Sequence, residues 1–511
     1  MIYLSVMAVA LAGFALTVGA EALLVPRPAW RRPLSSWLLH AGVWCALLGV
    51  LFLFTGRPWF SGINALAGWL LVVLVSNAKY HSLREPFVCA DFEYFSDAVR
   101  FPRLYLPFFG IGKAIGLALV FVVYLAGGLY FEPRAEGAPW AALGLLVVAG
   151  LLLSSGHRQW REPSFEPSTD LRHWGLVACL WRYYVAARRP VDIAALASPF
   201  IVERQAQLQL HTQPDMVSVQ SESFFDVRQL FRGVRREVLS EFDRLRAEAL
   251  AHGPLQVAAW GANTVRTEFA YLTGLDGTQL GVHRFNPYRL LARRGLPSIA
   301  AQFKRQGYRT VCIHPYAGSF YGRDKVLPAL GFDEFIDVRA FNDSQKAGPF
   351  IGDCAVAQKV IELLKAEQPR QPLFIHVVTM ENHGPLQLEQ VGADELATWF
   401  SQPLAPALRD LGPYVRHIAN ADRMLGLLRT ALDDHPRPAG LCFYGDHVPI
   451  LPEVYKALGE PAGDTQYFVW SNRTRAASVP TPLAVQHLGE CFIGQLQAVQ
   501  AFEQQARAKR A

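Results

Sequence analysis

Two rhythms of apolar and polar residues divide the chain. In the first third the apolar residues run in unbroken stretches, roughly 2–25, 36–55, 60–78, 106–130 and 138–155. Each comes near the ~20 residues a helix needs to cross a hydrocarbon core about 30 Å thick. The last stretch, APWAALGLLVVAGLLLSSG, carries no charge and no single apolar stripe of the kind a soluble helix shows. Lys113, in the fourth, lies close enough to its start to snorkel. The first stretch lacks a positive n-region and runs on into further spans, so it reads as a retained helix. Five spans are predicted.

The rhythm changes after His157. HRQWREPSFEPSTD reads as a polar linker, and LRHWGLVACLWRYYVAARRP then mixes Trp174, Trp181 and Tyr184 with Arg172, Arg182, Arg188 and Arg189. That mixture suits a helix lying in the headgroup layer. The competing reading is a sixth span, in which Arg182 would sit at a costly depth. From about residue 205, short β-branched runs at 215–220, 255–260, 309–314, 373–379, 440–444 and 466–470 alternate with helical patterns such as 286–306 and 413–433. Strands alternating with helices predict a mostly parallel sheet covered on both faces, with ligands at the carboxyl ends of its strands. The expected organisation is a transmembrane domain over 1–156, a linker and interfacial helix over 157–204, and an α/β domain over 205–511.

Composition agrees with this division. The 511 residues are 51% hydrophobic and 18% charged, against about 25% charged in an ordinary soluble protein. The net charge of +6 is spread along the chain with no basic run, which gives no reason to expect nucleic acid. Seven cysteines form no CxxC pair, so no disulfide framework or zinc knuckle is predicted.

Four strand ends carry candidate chemistry. They lead into Ser221-Glu222-Ser223, into Gly261-Ala262-Asn263-Thr264 and on to Glu268-Phe269, into Thr379-Met380-Glu381-Asn382-His383, and into Gly445-Asp446-His447. Singly, each has an ordinary reading: a solvated Glu, a Thr that caps a helix, a structural His. Together, Glu, Asp and His suit a divalent ion, and a hydroxyl completing the set would be acidified by it.

These residues resemble the lipoteichoic acid synthase and phosphoglycerol transferase family, within the alkaline phosphatase and sulfatase superfamily. The resemblance covers most of 205–475 and agrees with the multi-span N-terminal part. It implies a metal set of Glu222, Thr264, Asp446 and His447, with Thr264 as nucleophile. It implies that Asn382 and His383 contact the phosphate or glycerol. In the stretch from His314 to Asp333, it implies that Arg323 holds the phosphoryl or glycerol group and that His314 and Tyr321 line the pocket. Tyr321 stands where some relatives have Trp, and Tyr316 where some have Asp. The sulfatase signature Cys/Ser-x-Pro-x-Arg is absent around Thr264, which argues against formylglycine chemistry.

The resemblance further implies one divalent metal ion, manganese before magnesium or zinc. The expected donor is phosphatidylglycerol, and the expected acceptor is an osmoregulated periplasmic glucan or another envelope polysaccharide. Alternatives are phosphoethanolamine transfer, hydrolysis with water in place of the glycan, and a membrane scaffold without chemistry. The family's cysteine-bridged phosphoethanolamine transferases fit an unpaired cysteine set less well. Location is expected at the cytoplasmic membrane with the catalytic domain on the periplasmic side. The charge count opposes that side: Arg27, Arg31 and Arg32, then Lys79, Arg84, Arg100 and Arg103, place the C-terminal domain inside.

Overall fold

The computed structural model describes residues 2–93, 111–210, 212–366 and 371–508. The chain forms two compact units, Met1–Pro190 and Val191–Ala511.

The first unit is helical: α1 (Ile2–Glu21), α2 (Leu34–Thr55), α3 (Pro58–Leu83), α4 (Ile111–Phe131), α5 (Ala138–Arg158), α6 (Pro167–Trp174) and α7 (Leu176–Ala187). Among the described residues four of these, α1, α2, α3 and α5, are long and apolar enough to cross a membrane, and they mark a membrane-anchored protein. The predicted stretch 106–130 begins outside the described residues and continues as α4. α2 and α5 pack closely because glycines thin the contact. A Cβ at Gly42 would strike the Leu153 side chain, and one at Gly49 would strike Leu146. Leu11, Phe54, Val123, Trp140 and Leu151 remain exposed, as lipid-facing positions are.

The competing reading of 171–187 as a sixth span needs correction. The helix is broken in two at Gly175, whose φ of 78° is left-handed. At 12 residues α7 is about 18 Å long, too short for a sixth span. Arg182 of α7 packs against the chain itself. Its side chain is buried, donates to Arg161 O at 2.7 Å and Ser35 Oγ at 3.2 Å, and lies 3.9 Å from the Trp174 ring centroid.

The second unit is built on an eight-stranded sheet of order β10-β2-β9-β8-β1-β7-β3-β4. The strands are β1 (Asp215–Ser221), β2 (Ala251–Gln256), β3 (Arg309–Ile313), β4 (Glu334–Ile336), β7 (Leu373–Val378), β8 (Ala439–Gly445), β9 (Thr465–Ser471) and β10 (Leu483–Ala484). Between them, β5 (Lys346–Ala347) and β6 (Phe350–Ile351) form a separate hairpin. All the pairings in the large sheet are parallel except those of β9, which runs against β8 and β2. Every residue of β1, β7 and β8 is buried, as a strand covered on both faces requires. Alternate side chains serve two cores: Val217 and Val219 of β1 join one, and Met216 joins the other.

Helices α8 (Ser240–Ala247), α10 (Asp353–Lys365) and α11 (Leu411–Asp433) feed the first core, and α9 (Thr264–Thr273) and α12 (Leu488–Ala508) the second. The predicted helix over 286–306 is instead two short helices, Pro287–Leu290 and Ile299–Arg305, parted at Gly295, whose φ is 70°. The predicted strand at 255–260 lies earlier, at 251–256. Its neighbour β9 starts opposite Leu255, so the β2–β9 ladder ends before the apolar residues that follow Gln256.

Candidate active site

Neighbouring strands end in register, and this brings distant residues together. Ser221 pairs with Gly445 across β1 and β8, and Gln220 with Val378 across β1 and β7. Glu222, Asp446 and Thr379 are each the next residue of their strand. Gly445 is required by close approach, because a Cβ there would lie 2.0 Å from Phe224 O. β8 therefore abuts the turn after β1. Ser223 N donates to Asp446 Oδ1 at 2.7 Å, and Glu222 N donates to Thr379 Oγ1 at 3.0 Å.

Ligand atoms of Glu222, Asp446 and His447 lie within 4.8 Å of one another, all buried. The Thr264 hydroxyl, the first residue of α9, donates to Glu222 Oε2 at 3.2 Å. Asn263 before it takes a left-handed φ of 66°, and Thr267, one turn on, donates to Asp446 O at 2.9 Å. The four residues of the expected metal set thus converge. Asp446 Oδ2 is buried without a hydrogen-bond partner, and His447 Nε2 lies 3.4 Å away. Burial, then the charge of Glu222, pushes the Asp446 carboxyl up to about 7. Two carboxylates, one imidazole and one hydroxyl around an orphaned oxygen fit a divalent cation, which would remove the repulsion.

A second cluster is built on the same helix. Glu268, one turn after Thr264, is fully buried and takes Arg323 Nη2 at 2.6 Å and Nε at 3.2 Å. The Tyr288 hydroxyl donates to Glu268 at 2.6 Å. Arg323 Nη1 lies 3.2 Å from His314 Nε2, and His314 Nδ1 lies 3.0 Å from Val378 O. This arrangement requires a neutral His314 protonated on Nδ1. Burial, reinforced by Arg323, holds its pKa down at about 3. Burial opposes the charge on Glu268, but Arg323 outweighs it and lowers that carboxyl. Tyr321 holds a left-handed φ of 56° with its ring centroid 5.4 Å from the Arg323 guanidinium carbon.

Asn382 and His383 stand on the third arm. Asn382 Nδ2 donates to Ser223 O at 3.3 Å, while its Oδ1 is buried and unpartnered. His383 is half-buried and directs Nδ1 at Gly384 O, 2.8 Å away, which in the neutral ring leaves the lone pair on Nε2. Several residues of this centre escaped the sequence reading. Tyr288, Tyr414 and His417 lie far along the chain from any strand end and carry no local signal. Thr267 and Thr379 stand inside the motif segments, where any hydroxyl could have been marked.

A model of the sulfatase family matches residues 214–495, more than half of the chain. The chain belongs to the sulfatase family. It is a membrane-anchored enzyme of the alkaline phosphatase and sulfatase superfamily. This sulfatase-family chain is 26% identical over 442 residues to the capsular polysaccharide biosynthesis protein RkpI of Rhizobium meliloti, covering 82% of this chain and 78% of that one. It is 28% identical over 278 residues to a putative cyclic beta-1,2-glucan modification protein of the same organism, covering 51% of this chain and 42% of that one. Less than half of that longer relative is therefore spanned. Among solved structures, Streptococcus pyogenes phosphoglycerol transferase GacH in complex with sn-glycerol-1-phosphate matches with a TM-score of 0.47 and 20% identity, covering 60% of this chain and 84% of that one.

Proposed function

We propose that the protein transfers a phosphoglycerol headgroup from phosphatidylglycerol to an envelope glycan through Thr264. The observation that carries this reading is the Thr264 hydroxyl, 3.2 Å from Glu222 and beside the buried Asp446 and His447. Glu222, Thr264, Asp446 and His447 would hold one divalent ion, manganese first, and it would supply the field that acidifies the hydroxyl. The chain does the rest. Glu222 Oε2 accepts the hydroxyl's hydrogen bond and so turns its lone pair outward. The nucleophile is the first residue of the ten-residue α9, whose positive N-terminal end favours phosphoryl oxygens.

Thr264 Oγ1 gives up its proton and forms a bond to phosphorus as the bond to the diacylglycerol oxygen breaks, and that oxygen takes up the proton. A glycan hydroxyl then loses its proton and bonds to phosphorus as the bond from phosphorus to Thr264 Oγ1 breaks, and Thr264 Oγ1 takes up a proton again. His383 Nε2 would carry that proton. Asn382 Oδ1 awaits a donor such as a glycerol hydroxyl. Arg323 bears on the headgroup from the pocket side, fixed by Glu268, with His314 and Tyr321 beside it.

A polysaccharide acceptor is supported by the two relatives whose names speak of capsular polysaccharide and of glucan modification. All seven cysteines are free, which favours phosphoglycerol over the cysteine-bridged phosphoethanolamine branch. On this reading the catalytic unit lies outside the cytoplasm at the cytoplasmic membrane, against the charge count of the loops. A periplasm-only reporter fused after Ala511 should be active, and a cytoplasm-only reporter silent. The decisive test is incubation with labelled phosphatidylglycerol and mass analysis of the Thr264 peptide. A glycerophosphate adduct is expected there, and turnover with no adduct in wild type and full activity in Thr264→Ala would refute the mechanism.

A further inference from the structure

One helix carries three side chains that reach two arms of the site. Tyr414, His417 and Asn420 of α11 recur at every third position, which places them on one stripe. Tyr414 is fully buried, and its hydroxyl accepts from Phe225 N at 3.0 Å and lies 3.0 Å from Ser223 O and Phe225 O. It therefore braces the turn after Glu222, where Ser223 holds a left-handed φ of 51°. His417, also fully buried, places Nδ1 3.0 Å from Glu381 Oε1 and Nε2 3.1 Å from both oxygens of Glu389. With a carboxylate at each nitrogen, both nitrogens donate and the ring is an imidazolium. Burial opposes that charge, but Glu381 and Glu389 prevail and raise the ring's pKa to about 9. Asn420 Nδ2 donates to Glu381 Oε1 as well, and Asp353 N donates to Oε2 at 2.7 Å. Arg416 pairs with the far carboxylate, Glu389.

Glu381 has no role in the site as described, yet every acceptor it offers is used, and Asn382 and His383 follow it directly. Asn382 in turn donates to Ser223 O, the same carbonyl that Tyr414 reaches. The two arms are thus pinned to each other at one oxygen and pinned separately to one helix.

We propose that His417 is a positioning residue: through Glu381 it sets the arm bearing Asn382 and His383 against the Glu222 turn that Tyr414 of the same helix holds. Only the kinetic part of this inference rests on the phosphoglycerol-transfer reading. His417 meets no substrate; it fixes where the two arms meet over the reacting group. A small displacement of such an arm lowers turnover strongly while leaving substrate binding nearly intact.

The test uses full-length protein in lipid nanodiscs containing phosphatidylglycerol. His417→Leu should lower kcat by about 100-fold with little change in KM or manganese affinity. His417→Asn, whose amide can still donate to Glu381, should recover a substantial part of that loss. Hydrogen exchange should quicken over 379–386 in His417→Leu and stay unchanged over 221–226, with the reverse in Tyr414→Phe. Wild-type kcat in folded His417→Leu, or equal losses in His417→Leu and His417→Asn, would overturn the proposal. So would exchange that rises equally in both segments, or a parallel loss of manganese affinity. If His417→Leu does not fold, Glu389→Gln takes its place: reduced kcat with quickened exchange over 379–386 supports the proposal, and unchanged values overturn it. If wild type fails to use phosphatidylglycerol, the functional reading falls and the exchange measurements alone decide the brace.

Discussion

Two buried charge clusters lie a single helical turn apart on α9, and they are opposites. Around Thr264, Glu222, Asp446 and His447 crowd together with Asp446 Oδ2 left without a donor. Around Glu268, carboxylate meets guanidinium, a tyrosine hydroxyl closes the remaining lone pair, and a neutral histidine accepts from the guanidinium. The first cluster is short of positive charge; the second is balanced from within. Burying charge is tolerable only when it is paired or bound to a cation. The balanced cluster therefore needs no added charge to be buried, while the unbalanced one would be completed by a cation. Mutations in the two should differ in kind.

The largest effect separates chemistry from fold. Thr264→Ala should lower transfer activity by about 10⁴-fold or more while the thermal midpoint of the metal-free protein stays put. A melt and a turnover assay on the same sample check both halves. Next comes the balanced cluster. Glu268→Ala strands the Arg323 guanidinium, and breaking a buried pair in this way costs about 3–5 kcal/mol. That loss should be the same with and without manganese; a loss that vanishes on adding metal would erase the distinction between the clusters.

Metal addition gives the mirror image. Manganese at about a hundred times its Kd should stabilise wild type by roughly 2.7 kcal/mol and should do nothing for Glu222→Ala. Calcium, which prefers more oxygen ligands at longer distances, should stabilise less. Because Asp446 titrates near 7 in the metal-free site and must be ionised to bind, manganese affinity should fall as pH drops through that value. Calorimetry at pH 6 and pH 8 reads this directly, and affinity that is flat across that range would contradict the Asp446 assignment. The smallest effect is expected from Tyr288→Phe, which removes one hydrogen bond to a charged acceptor and should cost about 1.5–3 kcal/mol without altering metal binding. Denaturant melts would detect it.

The unbalanced cluster was easier to read from sequence than the balanced one. Glu222, Thr264, Asp446 and His447 each follow a short apolar run, and a parallel sheet delivers such residues to one edge. Strand order and register then do what sequence cannot show, pairing Ser221 with Gly445 and so setting Asp446 beside Glu222. Glu268 and Arg323 were both legible as motif residues, but their mutual pairing was not, because it depends on a loop crossing of 55 positions. Tyr288 was hidden inside a stretch whose apolar spacing reads as one long helix; Gly295 breaks that helix and frees the tyrosine's short segment to turn inward. Four membrane-length helices among the described residues were plain from length and apolarity, whereas the break at Gly175 and the contact of Arg182 with Ser35 of α2 depend on packing. Hydropathy carries no record of that packing.

Gly445 holds a consequence for anyone who selects variants of this enzyme. It binds nothing, donates to nothing in the site, and would score as a neutral small residue in a screen for ligands. Yet even a methyl group there would have to occupy the space of the Phe224 carbonyl. The alleles that abolish function should therefore include Gly445→Ala, alongside changes in the residues that do the chemistry. A library that varies the pocket to accept a new headgroup must leave this position fixed, or most of its members will be dead before specificity is tested.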